Sequence, residues 1–217
     1  MNKSIGIIIL AAGASTRLGQ PKQLLIYKGN SLIFNTVEVA VNSGCSPIIV
    51  VLGAYGNLIL PEISDFPVKI VENYDWQEGM NTSIRAGINT LQTTQKIIEA
   101  AIIMVCDQPF LSTNLIQKII DVYYLKSNSI VASKYAGVLG VPALFSSSLF
   151  PEMLNLNTDK GAKQIINKYA RQVATVNFPR GEIDIDTFTD YERLKILSEG
   201  SREWGSRGVG SRGVSQG

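Results

Sequence analysis

The chain has 217 residues, 45% of them hydrophobic, with a formal net charge of +2. That is enough apolar material for one sizeable core, and too small a charge imbalance for general binding to nucleic acid or an anionic membrane. There is no histidine, which excludes Ser-His-Asp and Cys-His nucleophile systems and every His-ligated metal site, leaving carboxylates, cations, hydroxyls and backbone to do any chemistry.

The first predicted element is the apolar, β-branched run that begins at Ile5 and ends near Leu10. It is too short for a membrane helix and reads as a strand buried on both faces of a parallel sheet. From Ala11 the residues become small: Ala12, Gly13, Ala14, Ser15 and Thr16 lead to Arg17, and Gly19 and Pro21 shape the chain up to Lys22. Small residues let backbone approach a ligand, and successive free amides in such a turn form an anion-binding nest. A bare loop plus two cations at a strand end suits a polyphosphate. It is neither a Walker loop, since Gln20 and Pro21 separate Gly19 from Lys22, nor a dinucleotide fingerprint, since Gly13-Ala14-Ser15 lacks the second glycine.

Ser31 is positioned to cap a helix to about Ser43, ended by Gly44. Ile48 to Leu52 is a second buried strand. Pro61 and Pro67 frame a variable connection, and Val68 to Val71 is a third strand. Strand, helix and strand at this spacing predict right-handed βαβ units. The polar-aromatic stretch from Glu72 to Ser83 then opens a helix to about Leu91, with Asn81 or Thr82 as its cap and Trp76 as a packing anchor. A helix N-terminus there suits anions.

Ala100 to Cys106 is a fourth buried strand, and Pro109 forces it open into a loop at Asp107-Gln108. Asp107 thus stands at the carboxyl edge of a central strand, where open α/β sheets bind ligands and where the Gly13 loop also lies. It reads either as a loop-capping aspartate or as a carboxylate facing phosphate across a cation such as Mg²⁺. Ser112 caps a helix to about Lys126. A short strand over Ile130 to Ala132 precedes a bent glycine-rich strand pair from Lys134 to Phe145. Helical segments follow over Ser148–Leu156 and up to about Ala170, then an edge strand at Val173–Val176. Alternation in Glu182 to Tyr191 puts Asp184 and Asp186 on one face of an extended segment, with Thr187 or Thr189 capping a last helix. We expect one domain over residues 1–199 and a disordered Gly/Ser/Arg-rich tail over 200–217, which carries the Gly-Ser-Arg repeats. Cys45 and Cys106 read as small buried hydrophobes. With no disulfide framework, signal peptide or long apolar run, the expectation is a cytoplasmic protein without membrane contact.

Leu10-Ala11-Ala12-Gly13-Ala14-Ser15-Thr16-Arg17-Leu18-Gly19-Gln20-Pro21-Lys22 resembles L-A-A-G-x-S-x-R-[M/L]-G-x-x-K, the signature of the MobA-like nucleotidyltransferases, and within them the MocA-type molybdenum cofactor cytidylyltransferases. Asn73, Trp76, Gly79 and Ser83 match the family's N-x-x-W-x-x-G-x-x-x-S, Asp107-Gln108-Pro109 its D-Q-P, and Asp184 to Asp190 its D-I-D-T-P-x-D. The departures are Leu18 for methionine, Val141 for a polar residue before Pro142, Thr158 for glycine and Phe188 for proline.

The resemblance implies a three-layer α/β/α Rossmann-like fold with a mostly parallel sheet, and transfer of a nucleotide from a nucleoside triphosphate to a phosphate-bearing acceptor, releasing pyrophosphate. Leu10, Ala11, Ala12, Gly13, Gly79 and Ser83 would line the nucleotide pocket. Asp107 and Asp186 would hold Mg²⁺, with Asp184 as the fallback ligand. Lys22 would stabilise the triphosphate and departing pyrophosphate, and Arg17 the β- and γ-phosphates. Ala12 leans towards CTP, and the branch implies a molybdopterin-type acceptor, with a molybdoenzyme or chaperone as a further partner. The alternatives are a sugar- or alditol-phosphate acceptor, or a non-catalytic nucleotide- or cofactor-binding partner of a molybdoenzyme. An acceptor phosphate is already anionic, so the reaction needs positioning and charge neutralisation rather than a strong base.

Overall fold

The structure, a computed structural model, describes residues 4–94, 97–156 and 161–205, with side chains up to residue 197. The expectations for Thr158 and for the tail beyond 205 lie outside the described residues.

The run from Ile5 forms β1 (Ser4–Ala11), and Ile5 to Ala12 are all buried. Pleating sends its side chains alternately to two cores. Ile5, Ile7, Ile9 and Ala11 enter one, with residues of α1 (Leu32–Asn42), α2 (Gly56–Ile63) and α4 (Thr113–Lys126). Ile8, Leu10 and Ala12 enter the other, with α3 (Met80–Gln92), α5 (Phe150–Leu154) and α6 (Ala162–Lys168). Two cores on opposite faces of one sheet make the three layers.

The main sheet also contains β4 (Ile48–Leu52), β5 (Lys69–Glu72), β6 (Ile98–Val105), β7 (Ile130–Tyr135), β8 (Val138–Ser146) and β9 (Ala174–Asn177), in the order β5-β4-β1-β6-β8-β7-β9. A small antiparallel pair, β2 (Ile26–Tyr27) and β3 (Asn30–Ser31), precedes α1. Strands β5, β4, β1 and β6 run parallel, β9 runs parallel to β7, and β8 is antiparallel to both neighbours. From β1 the chain winds outward through β4 and β5, then returns to add β6 on the other side of β1. Such a reversal opens a crevice at the carboxyl ends of the two strands. The residues that follow β1 and β6 are Ala12-Gly13 and Cys106-Asp107.

Sterics fix how α3 covers this sheet. A Cβ on Gly87 would come within 2.4 Å of the Ile8 side chain, so glycine sets the helix-to-strand distance. Ser31 caps α1 by accepting from Phe34 N, and Ser112 caps α4 by accepting from Leu115 N, as expected.

Three local expectations differ from the structure. The variable connection expected around Pro61 and Pro67 holds helix α2, with Pro61 inside it, because Pro61 is the only helix breaker between Gly56 and Ile63 and the apolar Ile59 and Ile63 are drawn into the core. The cap of α3 is Gly79 (φ 116°), not Asn81 or Thr82; the Thr82 hydroxyl instead donates back to the carbonyls of Gly79 and Asp75. The last helix, α7 (Phe188–Gly205), runs past residue 199 into the start of the Gly-Ser-Arg region. Among the described residues no helix is long and apolar enough to cross a membrane.

Candidate functional site

The crevice contains two neighbouring cavities. The smaller, about 230 Å³, is walled by Leu10, Ala11, Ala12 and Gly13, by Gly79 and Ser83 from the start of α3, and by Lys22, Gln23, Trp76 and Asp107. Six residues predicted as nucleotide contacts therefore line one cavity. The larger, about 380 Å³, lies beyond Met80 and Asp107 and is lined mainly by apolar residues of β6 and β8, with Gln108, Tyr135, Lys163 and Asp184. Asp107 borders both cavities.

The Gly13 loop is shaped from below. Lys22 N donates to Ser15 Oγ at 3.2 Å, and the buried Gln23 side chain donates through Nε2 to the carbonyls of Ala11 (3.0 Å) and Gly13 (2.9 Å). With its carbonyls turned inward, the loop leaves the amides of Gly13 and Ala14 without a protein acceptor among the described residues. Exposed, unpaired amides of this kind suit an anion. On the opposite wall the buried Asn73 donates to Thr82 Oγ1 (2.8 Å) and Ser83 Oγ (2.9 Å), which fixes the Ser83 hydroxyl at the cavity.

The charged residues meet at the rim. Lys22 Nζ lies 2.6 Å from Asp107 Oδ2 and 3.0 Å from Asp186 Oδ1, although the partners are 85 and 164 positions away in sequence. Arg17 Nη2 pairs with the other oxygen of Asp186 at 2.5 Å. Burial alone would lower the Lys22 pKa, yet Asp107 and Asp186 hold it well above the ordinary lysine value. Burial raises the Asp186 pKa and the two cations more than reverse that, so it lies below the usual aspartate range. Asp184 is pushed up, first by burial and then by the charges of Asp186 and Asp107. The Cys106 thiol, fully buried and next to Asp107, is raised to about 12 and is inert as a nucleophile or ligand at neutral pH; Cys45 is only half-buried.

Hydrogen bonds to backbone carbonyls bring Asp186 here. The amide of Ile185 donates to the carbonyl of Asp107 at 3.1 Å, and Gln108 Nε2 donates to the carbonyls of Gly181 and Val141, both at 3.1 Å. Ile185 is buried with Leu25, Tyr27, Leu32, Tyr191 and Leu194, a small core that seats α7 beside the site. Thr187 caps α7 reciprocally with Asp190. The sequence gives no role to Gln23, Met80 or Tyr135, and marks Gln108 only as the middle residue of the D-Q-P match. Only the position of each glutamine directly after a charged site residue hints at a role.

The donor set fits a hard divalent cation. Two carboxylates already converge on one ammonium, and the nearby thiol stays protonated. Among the described residues no group of three or more His, Cys, Asp or Glu is gathered to hold a metal alone. Water and phosphate oxygens would have to complete the shell, as is usual for Mg²⁺.

Residues 7–173 match the family model described as the MobA-like NTP transferase domain, a span that ends before Asp184 and Asp186. A nicotine blue oxidoreductase from Paenarthrobacter nicotinovorans is 29% identical over 86% of this chain and 94% of its own length. A molybdenum cofactor cytidylyltransferase from Escherichia coli is 26% identical over 88% and 96%. The crystal structure of Rv0371c from Mycobacterium tuberculosis superposes with a TM-score of 0.75 at 28% identity, covering 88% of this chain and 97% of that one; the same protein has also been solved in complex with manganese. The crevice between β1 and β6, its bare loop and the matched span lead to one conclusion: the chain belongs to the MobA-like NTP transferase domain family.

Proposed function

We propose that the protein transfers CMP from CTP to a phosphate-bearing acceptor of the molybdopterin type and releases pyrophosphate. The observation that carries this reading is the meeting of Lys22, Asp107 and Asp186 at the mouth of a cavity walled by Leu10 to Gly13, Gly79 and Ser83.

In the reaction an oxygen of the acceptor phosphate attacks the α-phosphorus of the nucleotide. The bond from that phosphorus to the bridging oxygen of the β-phosphate breaks, and pyrophosphate departs with the electron pair. No proton has to leave the attacking oxygen, so the absence of histidine costs nothing. The amides of the Gly13 loop bind the phosphates, Lys22 and Arg17 neutralise the charge that builds on the leaving group, and Gly79 and Ser83 orient the nucleoside. Asp107 and Asp186 would hold Mg²⁺, which when bound supplies further neutralisation of phosphate charge. Asp107 borders both cavities, which supports the larger one as the acceptor side and makes the aspartate the point where the two substrates meet.

Ala12 supports a pyrimidine nucleotide, and the 26%-identical cytidylyltransferase supports both the nucleotide and the acceptor. Turnover of CTP, GTP, UTP and ATP with molybdopterin, and of CTP with sugar and alditol phosphates, tests the reading. Turnover of CTP with molybdopterin is the expected result; turnover of GTP or UTP without CTP would overturn the cytidylyl claim.

A second reading follows from the 29%-identical relative named for an oxidation–reduction. The same crevice would then hold a nucleotide-type redox cofactor in place of a triphosphate. Such an enzyme, like a pure nucleotide-binding partner, releases no pyrophosphate.

A further inference from the structure

Three of the four carboxylate oxygens of Asp107 and Asp186 are already taken by this chain's own cations. Lys22 Nζ binds Asp107 Oδ2 and Asp186 Oδ1, and Arg17 binds Asp186 Oδ2. The ammonium thus sits between the two acids where the nucleotidyl-transfer reading calls for a divalent ion. Two cations cannot share those oxygens without strong repulsion. The ammonium needs a new anionic partner before the acids can accept a metal. Beside Lys22 lies the cavity with the unpaired amides of the Gly13 loop, where the triphosphate would bind.

We propose that Lys22 and Arg17 act as exchangeable counter-cations: they occupy the carboxylate oxygens of Asp107 and Asp186 in the nucleotide-free protein, then transfer to the phosphates of the incoming triphosphate and free the carboxylates for the divalent ion. This exchange rests on the nucleotidyl-transfer reading above and adds a positioning role for the two cations before chemistry begins. It makes the triphosphate and the metal mutually dependent, because each removes a competitor for the other, and such coupling is reciprocal. The acids stay in register without Lys22, since the Ile185–Asp107 and Gln108–Gly181 hydrogen bonds tie their segments together independently.

The test is binding of Mn²⁺ alone to nucleotide-free protein, read from the free-ion signal in electron paramagnetic resonance, for wild type, Lys22→Met and Arg17→Met. Lys22→Met is expected to bind Mn²⁺ roughly 5- to 150-fold more tightly than wild type, the usual range of coupling between sites, while its turnover collapses. Arg17→Met, whose side chain is 70% exposed and so can change without disturbing the core, is expected to gain about twofold or more. A lysine that stays on the acids would give the same gain on substitution with or without bound nucleotide analogue, whereas exchange confines the gain to the nucleotide-free protein. Tightening in neither variant overturns the exchange. A parallel titration of wild type with Mn²⁺ plus an α,β-methylene analogue of CTP separates the two claims. If that pair does not bind at all, the nucleotidyl-transfer reading itself fails; if it binds and neither variant gains, only the exchange fails.

Discussion

The amide of Ile185 donates to the carbonyl of Asp107 at 3.1 Å, and this bond joins two segments that carry the acids of the site. It places Asp186, one residue on, across the Lys22 ammonium from Asp107. A buried Ile185 on one side and the Gln108–Gly181 hydrogen bond on the other keep the segment from sliding. A late, polar stretch thereby completes a site begun by the first strand.

Removing the ammonium should separate catalysis from folding. Lys22→Ala is expected to lower kcat by about 10²-fold or more, the usual cost of losing one preorganised donor to developing charge. It also leaves two facing carboxylates without their shared partner, so urea unfolding of the nucleotide-free protein should show a loss of about 1–3 kcal/mol. A variant with wild-type kcat would remove Lys22 from the mechanism.

Gln23 acts through the loop it braces. Gln23→Leu deletes both hydrogen bonds to Ala11 O and Gly13 O and leaves two carbonyls unsatisfied, at a cost of about 1–3 kcal/mol. The expected kinetic signature is a raised KM for the triphosphate with a smaller change in kcat. An unchanged KM would show that the Gly13 loop keeps its shape without this side chain.

Gly87 tests the packing that carries the site rather than the site itself. Gly87→Ala drives a methyl group into Ile8 across the α3–β1 contact, and overpacking of this kind costs about 1–3 kcal/mol. The melting temperature should fall while the kcat of the folded fraction stays near wild type. An unaltered melting temperature would mean that α3 can lift from the sheet at no cost.

Asp184 gives a pH prediction with a definite sign. Its carboxyl is raised by burial and by Asp186 and Asp107, so the charged form is disfavoured in the folded state. The penalty is present above the folded pKa and vanishes below the unfolded value, about 3.9. Asp184→Asn should therefore stabilise the protein at pH 7, by under about 1 kcal/mol or roughly 2 °C at this partly solvated position. The gain should shrink to nothing as the pH falls below about 4. A stabilisation that persisted there would point to packing rather than charge.

Much of this arrangement is legible in the sequence. The run from Ile5, the small residues at Ala11 to Gly13 and the strand ending at Asp107 are local patterns with one physical solution each, and all appear where expected. The cap of α3 differs from the expectation because the polar Asn81 and Thr82 mimic capping residues, whereas the turn demands positive φ at Gly79. Helix α2 is hidden in the sequence because Pro61 reads as a breaker although its flanks bury well. The bracing roles of Gln23 and Gln108 are not legible for a different reason, although Gln108 stands inside the D-Q-P match. Their partners are backbone carbonyls of Ala11, Gly13, Val141 and Gly181, set by tertiary path and by nothing in the side chains nearby.

The most direct measurement is the ratio of pyrophosphate released to acceptor phosphate consumed, followed by phosphorus NMR with CTP, Mg²⁺ and molybdopterin. The wild-type chain should give a ratio of about one, and Asp107→Asn and Asp186→Asn should each slow release by about 10²-fold or more. No pyrophosphate at any Mg²⁺ concentration, or undiminished release by both variants, would contradict a nucleotidyl-transfer centre built from Lys22, Asp107 and Asp186.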